Sequence, residues 1–322
     1  MRRVTERRPL LGYALTLLAA ACWATGGLTA KWLFTAPGPE TAGWPLPPLG
    51  IAIDPTALAG GRALSAFVLL AAYLAVTSRD SLRVRRNDLT FLAIFGIAGL
   101  AMVHYTYFKT ISLTDVATAI LLEYLAPVLV LLVSTLFLGH RFTWSLPAGV
   151  ALSVTGCALV VGAIGGGGMV VSAAGIAWGL ASAAFFALYS LMGSSAAKRF
   201  APHTTLVYGL GFAALFWLVV LGPVRVLSVF ADSATAAAVV FVAIVSTIIP
   251  FGAFLTALGH IAPTNATVTS TVEPVIAAAG AYFLLGEALS ATQLLGGALV
   301  IAAIFVVQLT ERGETVVFPP QD

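Results

Sequence analysis

The sequence predicts an all-α integral membrane protein of ten transmembrane helices, arranged as two inverted five-helix repeats. Three observations predict it. Hydrophobic residues make up 60% of the 322 positions and charged residues only 9%, against roughly 25% charged in an ordinary soluble chain. Apolar runs of about 20 residues, long enough to cross a hydrocarbon layer about 30 Å thick, recur along the whole length. Landmarks late in the first half also return, at a fixed displacement, late in the second.

Ten runs carry the pattern: 11–33, 56–76, 89–108, 116–138, 144–164, 171–191, 204–221, 235–257, 266–285 and 291–309. Helix is the reading for each, because a lipid-exposed backbone must satisfy its own hydrogen bonds and the runs are too uniformly apolar for barrel strands. The first follows "MRRVTERRP" and is too long, and too poor in a small-residue cleavage site, to be a signal peptide; it ends in Lys31 and Trp32. Between the first and second runs lies "TAPGPETAGWPLPPLGIAIDP", with six prolines and no Lys or Arg. That composition predicts an external, semi-rigid loop. The third run carries His104 and Tyr107 on one face, and the fourth carries Glu123, Tyr124 and Pro127. After the fifth, "GGGG" at Gly165–Gly168 divides the chain into near-equal halves, 1–164 and 165–322. The sixth run holds Trp178, Ser182, Phe185 and Tyr189 at i, i+4, i+7 and i+11, one helical stripe. The seventh and eighth carry no charged residue, the ninth carries Glu273 and Pro274, and the tenth is glycine-bearing.

A shift of 147 residues lays Pro127 on Pro274, Leu138 on Leu285, Gly139 on Gly286 and Gly149 on Gly296. Near the start of each half the best pairing is Gly12 with Gly175, because the proline-rich loop lengthens the first half. Five helices is an odd number. A second copy therefore enters the membrane upside down, the inverted repeat that many secondary transporters use.

Lys and Arg in short loops stay on the cytoplasmic side. With both termini inside, the cytoplasmic set is Arg2, Arg3, Arg7, Arg8, Arg79, Arg83, Arg85, Arg86, Arg141, Lys198, Arg199 and Arg312, while Lys109 and Arg225 fall outside. Lys31 and Arg62 lie within or at the ends of helices. The basic balance thus reflects topology, and no nucleic-acid partner is expected. Cys22 and Cys157 sit in apolar segments and read as reduced packing residues.

The stretch "YFKTISLTDVATAILLEYLAPVLVLLVSTLFLGHRFTWSLPAGVALSVTGCALVV" and its echo "TSTVEPVIAAAGAYFLLGEALSATQLLGGALVIAAIFVV" resemble the EamA type of the drug/metabolite transporter superfamily. Small and apolar residues precede a proline, then come an apolar run, Gly-Glu, and a last helix with glycine. "ACWATGGLTAK" and "GGRALSAFVLL" look like the family's first and second helices, with Trp23, Lys31 and Arg62 at matching positions. His140 stands where the first repeat usually has glutamate. Within the superfamily the chain looks most like the YddG-type exporters of aromatic and other amino acids. The resemblance implies an inner-membrane exporter of amino acids or related small metabolites working by alternating access, with multidrug export as the alternative. It implies a bilayer and a small-molecule substrate as partners and no cofactor, and it leaves oligomeric state open.

The expected substrate cavity is lined by Trp23, His104, Tyr107, Glu123, Tyr124, Trp178, Ser182, Tyr189 and Glu273, with Pro127 and Pro274 as hinges. Intramembrane carboxyl groups face a bundle interior and pair with a cation, here Lys31, Arg62 or a substrate ammonium. Aromatic rings bind apolar side chains and attract ammonium groups. Each residue also has a plainer reading. Glu123 can lie at the external interface, Trp178 and Tyr189 can belong to the interfacial aromatic belt, and His104 can be a packed, hydrogen-bonded side chain. No metal-ligand pair, nucleophile elbow or Walker lysine argues for an enzyme.

Overall fold

The computed structural model describes residues 8–51, 53–114, 116–139, 143–163, 172–285 and 290–313. Arg2, Arg3, Arg7, His140, Arg141, Gly165–Gly168 and Gly286 lie outside the described residues, as does the side chain of Arg312. Among the described residues every regular element is helical.

Helix α1, Pro9–Phe34, opens on a proline whose fixed φ suits a first helical position. The loop after it folds back on its end. Trp32 Nε1 donates to the Pro47 carbonyl at 2.9 Å, and the Leu49 and Ile51 N–H groups donate to the carbonyls of Trp32 and Leu33. The two backbone bonds satisfy last-turn carbonyls that a helix leaves open. Asp54 then caps α2, Pro55–Thr77, by accepting from the N–H groups of Thr56 and Ala57. It also pairs with Arg225. Partial burial pushes the Asp54 carboxyl up, but its bonds from Thr56, Arg225 and Ala57 outweigh that and hold it well below the usual carboxylate range.

The third span is α3, Arg86–Ile94, a π-helical segment Phe95–Ala101, and α4, Met102–Leu113. The fourth comprises α5, Val116–Glu123, and α6, Ala126–Leu136. Next come α7, Ser145–Val160, α8, Ala173–Ala197, α9, Pro202–Leu221, and the short α10, Pro223–Leu227. The eighth run is built like the third, from α11, Ser233–Ala243, a π-helical segment Ile244–Ile248, and α12, Ile249–Ala257. The ninth run, like the fourth, comprises two helices, α13, Pro263–Ser270, and α14, Glu273–Leu285; α15, Ala291–Gly313, is the last helix among the described residues.

Two expectations are corrected. Runs 116–138 and 266–285 are not single continuous helices, since each is interrupted, at Tyr124–Leu125 and at Thr271–Val272. Pro127 and Pro274 fall at the second position of the following helix, where a missing N–H costs little because first-turn donors have no intrahelical partner. The second correction is length. The run 144–164 is helical only over Ser145–Val160, because Gly162 takes a left-handed φ of 78° that ends it. Among the described residues eight segments are long and apolar enough to cross a membrane; α7 is shorter, and the ninth run is divided.

The packing joins helices distant in sequence. Helix α1 lies against α12, α13 and α14, while α8 lies against α4, α5 and α6. Helix α2 packs on α9, and α7 packs on α15. In the last pair backbones approach closely through glycine: a Cβ at Gly296 would stand 2.6 Å from the Gly156 carbonyl oxygen, and one at Gly156 would stand 2.7 Å from that of Gly296. Gly149 faces the Ala303 carbonyl in the same interface.

Candidate functional site: two helix breaks that touch

The interruptions at Tyr124–Leu125 and Thr271–Val272 meet across the bundle. Tyr124, buried in the first, points its hydroxyl at the second, 2.6 Å from Glu273 Oε2 and 3.2 Å from the Ser270 carbonyl. Its one proton serves the shorter contact, a charge-assisted bond when the carboxyl is ionised. Glu273 is the first residue of α14, where the helix dipole stabilises negative charge. Glu123 is the last residue of α5 and has no such help. It accepts instead from Ser182 Oγ on α8, at 2.5 Å. Tyr107 lies on α4, which packs against α8 and α5, the helices that carry Ser182 and Glu123.

Apolar side chains surround this cluster. Ala20, Val272, Val300 and Ile304 are buried around Tyr124, and the Cys157 thiol points at the Thr271 carbonyl from 3.6 Å. Water is scarce there, so each polar contact is stronger than it would be at the surface.

A second layer is aromatic. Trp23 sits edge-on to Phe251 at 5.3 Å and to Phe186 at 6.2 Å. His104 stands edge-on to the same Phe251 at 5.5 Å. Tyr189 is fully buried, stacked on Phe186 and Phe254 and tilted against Phe95. Its hydroxyl has no hydrogen-bond partner among the described residues.

The stripe on α8 therefore serves three neighbourhoods. Ser182 reaches Glu123, Tyr189 packs in the aromatic layer, and Trp178 lies edge-on to Tyr105 at 5.6 Å. Lys31 is placed 5.9 Å over the ring of Trp44 in the folded-back loop. Pro127 and Pro274 are buried beside the breaks.

Sequence reasoning missed Phe251 and Phe254, the Ser270 carbonyl and Ser246, whose Oγ is buried without a partner. Ser270 did leave a signal: the 147-residue shift places it on Glu123. Among the described residues no three His, Cys, Asp or Glu side chains are grouped to hold a metal ion.

Comparison with known proteins agrees with this architecture. A crystal structure 22% identical in sequence superposes with a TM-score of 0.73, covering 94% of this chain and 98% of the other, and so shares the fold. An uncharacterised transporter of Archaeoglobus fulgidus is 30% identical over 77% of this chain and 87% of its own length. A probable terminal-alkyne amino-acid exporter of Streptantibioticus cattleyicolor is 26% identical over 83% and 89% of the two chains, and the threonine/homoserine exporter RhtA of Escherichia coli K12 is 27% identical over 73% and 76%. The profile of the EamA-like transporter family matches twice, over residues 10–162 and again over 173–309. The apolar helices, the paired breaks and this double match make the chain a transmembrane member of the EamA-like transporter family.

Proposed function

We propose that the protein exports amino acids, aromatic and other neutral ones, or related small metabolites across the bacterial inner membrane by alternating access. The observation that carries this reading is the contact between the two helix breaks, Tyr124 to Glu273. Discontinuous helices present unpaired backbone groups and dipole ends at depth, and transporters bind substrates where two such helices meet. Glu123 and Glu273 attract the substrate ammonium; Tyr107, Tyr124 and Ser182 orient the carboxyl groups. Trp23, His104, Trp178 and Tyr189 supply the apolar wall.

Two five-helix units, 1–164 and 165–322, are inverted relative to each other in this reading. The packing supports it, because exchanging the first span for the sixth, the second for the seventh and so on returns the same pairs: α1 with α12 to α14, α8 with α4 to α6, α2 with α9, α7 with α15. Segments flanking Pro127 and Pro274 then pivot as the cavity opens alternately to each side.

Both termini are cytoplasmic and the proline-rich loop is external, as the basic residues require. Gly43→Cys, at an exposed loop position, is expected to react with an impermeant thiol reagent in intact cells. Labelling only after permeabilisation reverses the orientation.

The aromatic layer beside two carboxyl groups also favours a second reading, export of aromatic cations as in multidrug transporters. Proteoliposomes offered a panel of amino acids and a cationic dye, with and without a proton gradient, decide between them. Amino-acid transport supports the first reading, and transport of the dye alone overturns it. The two gradient conditions separate coupled export from uniport.

A further inference from the structure

We infer that Arg62 receives the substrate carboxylate, so that a zwitterion is held with its carboxylate at Arg62 and its ammonium at the Glu123–Glu273 pair; this rests on the transport reading above.

Arg62 lies two turns into α2 from its cap at Asp54. Its Nη2 is sealed from solvent and has no hydrogen-bond partner among the described residues. The described ion pairs, Arg83–Asp80, Arg199–Asp88 and Arg225–Asp54, lie elsewhere and do not include it. A guanidinium at membrane depth is expensive to leave unpaired, and a planar fork of donors matches a carboxylate. A second unmet donor stands on a facing element. Helix α2 packs against the π-helical segment Ile244–Ile248, and Ser246 Oγ there is buried without a partner, lying against Gly26 of α1.

Position along α4 supplies the other end. Helix α4 packs against α2, which carries Arg62, and against α5, which carries Glu123; His104 and Tyr107 share one face of it, roughly 4.5 Å apart along the helix axis. One helix thus touches both the helix that carries the cation and a helix that carries an acid. Amines lacking a carboxylate satisfy only the acids. An amino acid satisfies both ends.

The test uses the purified full chain in lipid nanodiscs with three probes: phenylalanine, phenethylamine, which lacks the carboxylate, and 3-phenylpropionate, which lacks the ammonium. Arg62→Gln is expected to weaken phenylalanine and 3-phenylpropionate at least tenfold while leaving phenethylamine within twofold. Glu273→Gln is expected to weaken phenylalanine and phenethylamine and spare 3-phenylpropionate. Arg62→Lys keeps the charge without the fork; a folded Lys variant with an intermediate loss for phenylalanine supports the assignment even where the Gln variant does not fold. Equal losses for phenylalanine and phenethylamine in the Arg62 variants, or no loss in either, overturn it while leaving amino-acid transport by the wild type intact. A wild-type protein that binds phenethylamine and neither phenylalanine nor threonine overturns the amino-acid reading itself, and this inference with it.

Discussion

The break at Tyr124–Leu125 and the break at Thr271–Val272 share a backbone and divide a chemistry. Both are tight turns two residues long, followed by a helix with proline at its second position, and they stand 147 residues apart. Leu125 bonds back to Leu122 in one, and Thr271 bonds back to Val268 in the other. Their side chains have parted. The first has a carboxyl group before the break, Glu123, where the second has Ser270; the second has one after the break, Glu273, where the first has Ala126. Tyr124 reaches across to the other break, whereas Thr271, its counterpart, bonds its own turn at the Val268 carbonyl, 2.6 Å away. Repeated geometry is thus a frame on which unequal charges have been placed.

The sharpest way to break that contrast is to treat the two acids as equivalent. Glu273→Gln removes a charge stabilised by a helix N-terminus and by Tyr124, a loss of about 2 to 3 kcal/mol, or on the order of 30- to 150-fold in transport. Glu123→Gln keeps an oxygen for Ser182 to donate to, and the expected loss is smaller, about 5- to 10-fold. Equal losses in initial export rate from vesicles would make the acids interchangeable and end the comparison.

Tyr124→Phe tests the bond between the breaks. It is expected to lower transport about 10-fold and to show strong non-additivity with Glu273→Gln, because each variant removes the same contact. Additive effects in that double-mutant cycle would place the two side chains in separate roles.

Pro127→Ala and Pro274→Ala are expected to slow transport about 3-fold each while leaving substrate affinity nearly unchanged, since alanine restores a backbone donor and favours a continuous helix across the turn. Parallel changes in affinity and rate would turn the prolines into binding residues. The smallest effect belongs to Thr271→Val, which removes a hydroxyl bonded within its own turn; transport should stay within about twofold and thermal stability within about 1 kcal/mol. A loss as large as that of Tyr124→Phe would show the breaks to be alike in chemistry as well as shape.

The apolar runs were legible because membrane spans are a matter of length and composition. The breaks were not, because a proline marks a weak point without saying whether the helix bends there or starts anew. Length failed at α7 for a similar reason: Val161 to Ile164 remain apolar, and only the left-handed Gly162 stops the helix. In the site, Glu123, Tyr124, Ser182 and Glu273 were recoverable as residue types that do not belong in lipid. Their partnerships were hidden, since Ser182 is 59 residues from Glu123 and Glu273 is 149 from Tyr124. The α8 stripe illustrates the limit well. Spacing assigns Trp178, Ser182 and Tyr189 to one face, but neighbouring helices decide that they serve an aromatic pair, a carboxyl group and a buried ring stack.

The glycine seam between α7 and α15 has a consequence for how the molecule is made. The Gly149 and Gly156 face of α7 is completed by α15, the last helix among the described residues. During synthesis that face must wait, in lipid or against the insertion machinery, for more than a hundred residues to emerge. A chain that stalls before α15 leaves the close-packing glycine face of α7 bare.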